Sequence, residues 1–237
     1  MRILSLDTSV DVGGAALVDS EAGIVGEIII SVRGRKRTFS EHLMPAIDFL
    51  LESAGCSIND VGAFAMAVGP GSFTGLRVGL STIKGLAFAT GKPVVALPTF
   101  EVLSYNHRYC AYPVCAILDA GKGEVYASVF QWRDDRLCTL VDVGVYEIRE
   151  LLEGLAPGKI LFTGGAVVSC GEIIRTRLRD NAILAQTYVS AINVGLLALE
   201  RLKTGDICCI EEIVPIYIKK SQAEQLYECN NPPDDVK

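Results

Sequence analysis

Apolar and polar residues along the first half of the chain follow two periods, one typical of strands and one of helices. Short apolar runs bounded by turn residues predict buried strands, whereas apolar residues recurring every three or four positions predict helices. The first six predicted elements are three strands, a helix, a strand and a helix, and a further strand and helix follow. The strands are 2–7, 12–18, 24–32, 63–68 and 94–97, and the helices are 40–54, from the glycine turn after residue 68 to 90, and from 99 onward.

The same order of elements is predicted again after Pro113. In both halves an aspartate ends the first strand, Asp7 in one and Asp119 in the other. This repetition predicts an α/β protein with the duplicated ribonuclease-H-like fold of actin, the sugar kinases and Hsp70, built from two βββαβα halves with a nucleotide cleft between them. The second set comprises strands 114–118, 124–131, 136–143 and 160–163, helices 147–155 and 172–178, and a closing helix at 190–202.

These patterns also predict where the halves divide. We expect an N-terminal half over residues 1–108 and a C-terminal half over 109–229, with the closing helix packing back on the first half. The last residues, 230–237, are rich in proline and aspartate, and we expect a disordered tail there.

Composition limits the classes of function. The chain is 50% hydrophobic and carries a formal net charge of −6, so it can bury a core, and its charge opposes direct binding of nucleic acid, which needs a basic face. No apolar run reaches the roughly 18 residues of a membrane span, and the first residues enter a strand, so we expect a cytoplasmic protein without a membrane partner. The 8 cysteines include no Cys-x-x-Cys pair and the 2 histidines are far apart, so no metal site is predicted.

The most distinctive local sequence is the glycine-rich turn at 69–75, which leads from a buried strand into a long helix. Its glycines follow neither the dinucleotide fingerprint nor the P-loop pattern, but bare backbone N–H groups at a helix N-terminus suit an anion. The alternative is a tight turn with close helix packing and no ligand, in which the first aspartate caps its own turn. The candidate nucleotide or phosphate site comprises Asp7, Thr8, Ser9, Gly69, Gly71 and Ser72.

Four further polar residues have weaker claims to a ligand. Asp119 and Lys122 occupy the corresponding turn of the second half. Asp119 is a minor ligand candidate, and Lys122 is expected to be a solvated side chain. Glu101 and His107 are interpreted as surface residues of one helix.

Three segments together resemble a known family: residues 3–9 (ILSLDTS), 69–79 (GPGSFTGLRVG) and 119–126 (DAGKGEVY). The resemblance is to the TsaB (YeaZ) family of bacterial tRNA threonylcarbamoyladenosine biosynthesis proteins, and it covers nearly the whole chain. It implies a non-catalytic subunit that forms a homodimer and binds a TsaD-type catalytic subunit, which modifies the adenosine beside the tRNA anticodon. It also implies a TsaE-type ATPase in the assembly, tRNA contact only through the complex, no cofactor in the isolated chain, and ATP only in the assembled complex.

The catalytic sister family, TsaD, differs at identifiable positions. TsaD-like proteins carry a metal-binding His-x-x-x-His pair where this chain has Thr99 and Leu103, neither of which is a normal metal ligand. The TsaB family usually ends in Pro-x-Tyr-Leu-Arg, whereas Tyr217 here is followed by Ile218 and Lys219. Because lysine lacks the guanidinium fork, the resemblance does not carry over a carboxylate or phosphate contact at Lys219. A small-molecule kinase or a metallopeptidase of the same superfamily remains the alternative function.

Small residues on the glycine-turn helix suggest an interface. Gly75 and Gly79 lie about one turn apart, and each glycine in an exposed helix costs roughly 1 kcal/mol relative to alanine, which the close approach of a second chain would explain. Arg77 lies in the first turn, where its charge opposes the helix dipole and therefore favours a partner contact. The predicted surface, for both self-association and the TsaD-type partner, comprises Leu43, Ile47, Leu50, Gly75, Arg77, Val78, Gly79 and Thr82.

Overall fold

A computed structural model describes residues 1–34, 38–134, 136–205 and 208–219. The predicted tail at 230–237 lies outside the described residues. The first half contains five strands and three α-helices: β1 (Arg2–Asp7), β2 (Val12–Asp19), β3 (Gly23–Ser31), α1 (Phe39–Ser53), β4 (Val61–Ala67), α2 (Phe73–Thr90), β5 (Val94–Leu97) and α3 (Thr99–Tyr105).

The second half repeats this order of elements: β6 (Val114–Gly121), β7 (Glu124–Arg133), β8 (Arg136–Glu147), α4 (Ile148–Glu153), β9 (Ile160–Thr163), α5 (Val167–Leu178), β10 (Ala182–Ala185) and α6 (Ala191–Lys203). The repeat is therefore one strand and one helix longer than predicted, because β10 and α6 correspond to β5 and α3. The sequence analysis missed β10, whose four half-buried residues show no alternation. It also began α5 five residues late, although Val167 and Cys170 already face the core.

Each half is organised around one five-stranded mixed sheet. The strand orders are β3-β2-β1-β4-β5 and β10-β9-β6-β7-β8, so β1 and β6 occupy the same central place in their sheets. In both, the first strand pairs antiparallel with the second and parallel with the fourth. This matching topology confirms the predicted duplicated ribonuclease-H-like fold.

Helices α3 and α6 join the halves. The closing helix α6 packs on β1, β2, β4 and β5, all of which belong to the first sheet. A Cβ at Gly195 would lie 2.6 Å from a methyl group of Val18, and the Ser5 hydroxyl donates to the Ala191 carbonyl at 2.7 Å, so this helix lies directly on the strands. One apolar cluster contains residues of both halves and is shared across them. Among the described residues, no helix is long and apolar enough to cross a membrane.

Candidate functional site

A cleft of about 720 Å³ lies between the two halves. The first half contributes the β1–β2 turn and the glycine turn, through residues such as Ser9 and Ser72. The second half contributes the β6–β7 turn, with Asp119 and Lys122, and the turn before α5. The sequence analysis predicted a nucleotide cleft between the halves, so this cleft is where the candidate nucleotide or phosphate residues are compared with the structure.

The aspartate that ends β1 does not face this cleft. Asp7, Thr8 and Ser9 all have 0% exposure, and the Asp7 Oδ1 accepts hydrogen bonds from the Ser9 hydroxyl at 2.7 Å and the Ser9 amide at 3.2 Å. Burial raises the pKa of Asp7 to about 7, despite these hydrogen bonds, which act in the opposite direction. Asp7 Oδ1 is thus used as the turn-capping alternative predicts, whereas its Oδ2 is buried without a hydrogen-bond partner among the described residues. The nucleotide or phosphate role of Asp7 stays a prediction.

The glycine turn is packed against the chain's own backbone. A Cβ at Gly71 would lie 2.2 Å from the Ser9 carbonyl oxygen, and one at Gly75 would lie 2.1 Å from the Thr8 carbonyl oxygen. The Ser72 amide donates to the Ser9 carbonyl at 2.6 Å, and the Ser72 hydroxyl accepts from the Gly75 amide at the start of α2. Groups that could cradle a phosphate thus also hold the β1–β2 turn, as the tight-turn alternative predicts. Gly71 and Ser72 line the cleft as well, and their anion role stays a prediction.

The positions that would carry metal-binding histidines in a TsaD-like protein also have structural roles. Thr99 and Gly69 exchange two hydrogen bonds: the Gly69 amide donates to the Thr99 hydroxyl at 3.0 Å, and the Thr99 amide donates to the Gly69 carbonyl at 2.8 Å. Leu103 is fully buried in the apolar cluster shared by the two halves. Over the described ranges, no three His, Cys, Asp or Glu side chains are grouped to hold a metal ion.

The weaker ligand candidates separate into two groups. Asp119 is exposed and its Oδ1 accepts from the Gly121 amide at 2.7 Å, as expected of a turn, and Lys122 is an exposed residue of the same turn. Glu101 and His107 are not the simple surface residues that were predicted. Glu101 binds the Arg201 guanidinium of α6 through both oxygens, at 2.7 and 2.9 Å, and the His107 ring lies 2.9 Å from the Thr163 hydroxyl of the second half.

Most of the predicted interface residues are buried within the chain. Leu43, Ile47 and Leu50 are 1%, 2% and 5% exposed and belong to the core beneath α1, so they are unavailable to a partner and their assignment was wrong. Gly79 faces Thr8, whose Oγ1 would lie 2.3 Å from an added Cβ. The small size of Gly75 and Gly79 therefore serves packing inside the chain, not the approach of a second chain.

The outer side of α1 and α2 nevertheless carries large apolar side chains. Met44, Phe49 and Phe88 are 48%, 63% and 87% exposed, and α1 and α2 contact each other on one face of the first sheet. Each is an apolar residue at a helix position outside the predicted core stripe, a signal that helical periodicity already contained. Of the predicted interface residues, Arg77 is exposed and Val78 and Thr82 are half-buried.

Comparisons with known proteins identify the family. The chain matches the family described as "TsaD: tRNA N6-adenosine threonylcarbamoyltransferase" over residues 23–227. It is 33% identical to the tRNA threonylcarbamoyladenosine biosynthesis protein TsaB of Haemophilus influenzae, over 92% of this chain and 94% of that protein. The TsaB protein of Bacillus subtilis is 28% identical, over 94% of this chain and 96% of its own length. The chain belongs to the TsaB (YeaZ) family.

Solved structures agree with this assignment of the TsaB family. YeaZ from Pseudomonas aeruginosa superimposes with a TM-score of 0.74 and 26% identity, covering 91% of this chain and 100% of the other. The resemblance carried by the three quoted segments is therefore confirmed at the level of family and fold.

Sequence reasoning did not predict the contacts that residues 213–219 make in this TsaB family member. Residues 213–219, here called the strap, run from the core beneath α2 to the β6–β7 turn. Tyr217 lies with its ring centroid 4.8 Å from that of Phe73 and accepts a hydrogen bond from Arg77 Nε at 3.0 Å. Lys219 donates to the Ala120 carbonyl at 3.0 Å and also pairs with Glu124, so the lysine makes the carboxylate contact that sequence reasoning left open.

The raised pKa of Asp7 predicts a specific pH dependence of stability in this TsaB family member. The unfolded aspartate loses its proton near its ordinary value of 3.8, whereas the folded one keeps it up to about 7. Below both values the group has no effect. As the pH rises from about 4 to 7, the unfolded state is increasingly favoured, by up to about 4 kcal/mol at about 1.4 kcal/mol per pKa unit.

Asp7→Asn removes this titration while keeping an oxygen that can accept from Ser9. We expect the free energy of unfolding of the variant, relative to the parent, to increase between pH 5 and pH 7.5 and to level off above pH 8. Urea unfolding at these pH values measures it, and the difference cancels the contributions of other carboxylates. A difference that stays constant with pH contradicts the assignment.

Proposed function

We propose that this protein is a non-catalytic accessory subunit in tRNA N6-threonylcarbamoyladenosine biosynthesis, which binds and activates a TsaD-type catalytic subunit. One observation carries the proposal: the residues that would handle a nucleotide or metal in a catalytic relative are here used to pack the chain. Asp7 is fully buried, Gly71 and Gly75 contact backbone carbonyls, and Thr99 holds the glycine turn. The curated relatives carry the same pathway in their names.

The charge of the chain supports a division of labour in which other subunits hold the tRNA. Its net charge of −6 opposes direct binding of a polyanion, since neutralising several phosphates needs a basic face. In this proposal tRNA is contacted through the complex, a TsaE-type ATPase joins the assembly, and ATP is used there and not by the isolated chain.

The surface we propose for the catalytic partner, and for self-association, is the outer side of α1 and α2. Met44, Phe49 and Phe88 expose apolar area there that the described part of the chain does not cover. Exposed aromatic and methionine side chains are enriched in protein interfaces, and a stable interface buries about 800 Å² per partner. Arg77 lies on the same helix and completes this surface with a charge.

Reconstitution tests the proposal. The purified chain, a TsaD-type protein and a TsaE-type ATPase from the same organism are combined with ATP, threonylcarbamoyl donor and unmodified tRNA, and modified adenosine is measured by mass spectrometry. We expect product only when this chain is present together with the TsaD-type protein, and no turnover by the chain alone. Reproducible phosphoryl transfer or peptide hydrolysis by the isolated chain, lost in Asp7→Asn, would contradict the proposal and favour the kinase or peptidase alternative.

A further inference from the structure

The strap, residues 213–219, is anchored to the first half along most of its length. Ile213 is 5% exposed and belongs to the core beneath α1 and α2. The Ile216 amide donates to the Val68 carbonyl at 2.7 Å, and the Ile216 carbonyl oxygen would lie 2.5 Å from a Cβ at Gly69. The backbone of the strap is therefore seated on the glycine turn where that turn leaves β4.

Side chains of α2 hold the middle of the strap. The Arg77 guanidinium carbon lies 3.9 Å from the centroid of the Phe73 ring, and the same side chain donates to the Tyr217 hydroxyl. Tyr217, Phe73 and Arg77 form one cation–aromatic group at the start of α2, in which the guanidinium is attracted to the ring face. Tyr217 is thereby fixed at the rim of the cleft, which it lines together with Phe73.

The end of the strap reaches the other half. Lys219 donates to the carbonyl of Ala120 and pairs with Glu124, both in the β6–β7 turn. Its side chain is 22% exposed and it also lines the cleft. The strap therefore spans from the glycine turn of the first half to the aspartate turn of the second, across the mouth of the cleft.

We propose that the strap holds the two halves at a fixed angle, so that the cleft keeps its width without a bound ligand. Two halves joined by a hinge change their angle when contacts across the cleft change. Here Asn106 and His107 bind residues of the second half, Tyr188 and Thr163, away from the strap. Removing the contacts of Tyr217 and Lys219 leaves that junction intact and frees the mouth of the cleft to open. This inference does not depend on the proposed function.

The test measures the distance across the cleft directly. Asp11 and Val168 are exposed residues that line the cleft from opposite halves, and each is replaced by a ketone-bearing amino acid for spin labelling, which avoids the 8 native cysteines. Pulsed electron–electron double resonance then measures the distribution of distances between the two labels in the parent and in the double variant Tyr217→Ala/Lys219→Met. The matched control is Lys84→Met, which removes a lysine of α2 whose 3.5 Å contact with the Glu211 carbonyl joins two residues that do not line the cleft.

We expect a longer mean distance and a broader distribution in the double variant, and an unchanged distribution in Lys84→Met. If the double variant does not fold, as judged by circular dichroism, Lys219→Met alone carries the test, since it keeps Ile213 and Tyr217 in place and should shift the distribution in the same direction by less. A distribution identical to that of the parent in the folded strap variant would overturn the proposal.

Discussion

Gly75→Ala is expected to destabilise the protein by at least about 3 kcal/mol, the upper range for overpacking. The added Cβ would lie 2.1 Å from the Thr8 carbonyl oxygen, and a backbone atom in a fully buried turn cannot move aside as the end of a side chain can. Gly79→Ala is expected to destabilise the protein as well, because its Cβ would lie 2.3 Å from Thr8 Oγ1.

The same helix supplies the control for this prediction. Gly85 is in the middle of α2 and an added Cβ there meets nothing within 4 Å, so Gly85→Ala gains helix propensity and should stabilise by about 0.5–1 kcal/mol. Scanning calorimetry of the parent, Gly75→Ala and Gly85→Ala gives the melting temperature of each protein. If Gly75→Ala melts at or above the temperature of the parent, the close packing of α2 on the β1–β2 turn does not describe the protein in solution.

Phe88→Asp is expected to weaken binding of the TsaD-type partner by 30-fold or more, the effect of losing about 2 kcal/mol at an interface hot spot. Phe88 is 87% exposed, so its replacement should leave the free energy of unfolding of the isolated chain within about 0.5 kcal/mol. The loss would come from a desolvated aspartate facing an apolar partner surface. Self-association should weaken in parallel, because we propose one surface for both.

Tyr109→Asp is the matched control, because Tyr109 is an equally exposed aromatic residue, at 90%, outside α1 and α2. Isothermal titration with the partner and sedimentation velocity of the chain alone measure the two associations. Equal affinities of the Phe88 and Tyr109 variants would exclude this surface. That result would leave the accessory role itself to the reconstitution experiment, which does not depend on where the partner binds.

Hydrophobic periodicity was sufficient for most of the fold, because each element has to bury one face. It placed β1, β4 and β6 correctly, and the repeated order of elements predicted the duplicated topology. It was not sufficient for β10, whose four residues, Ala-Ile-Leu-Ala, are too few to show a period. That strand exists because β9 offers it a parallel edge, which is a property of the folded sheet.

The segments of the candidate site meet at the cleft, but the side chain of Asp7 is buried beneath it. The pattern of an aspartate after a strand, together with a glycine turn, marks the two segments that meet at the cleft, and both do meet there. The direction of the Asp7 side chain is set at the last residue of β1, where strand periodicity no longer applies. In the structure it is held inward by the hydrogen bonds from Ser9 and by the close packing of Gly13 on Asp7 and of Gly79 on Thr8. The apolar stripe of α1 likewise identified core residues, which we had assigned to a partner.

The sequence alone determined the family, the repeated order of elements in the two halves, and the absence of histidines at positions 99 and 103, where TsaD-like proteins bind a metal. These properties depend on residue identity and local spacing. The tertiary structure alone decided three other properties: the burial of Asp7, the exposure of Phe88, and the path of the strap from Val68 to Glu124. Each of these depends on contacts between residues far apart in the chain. Local propensity carries no information about such contacts, because their free energy arises only when the elements pack together.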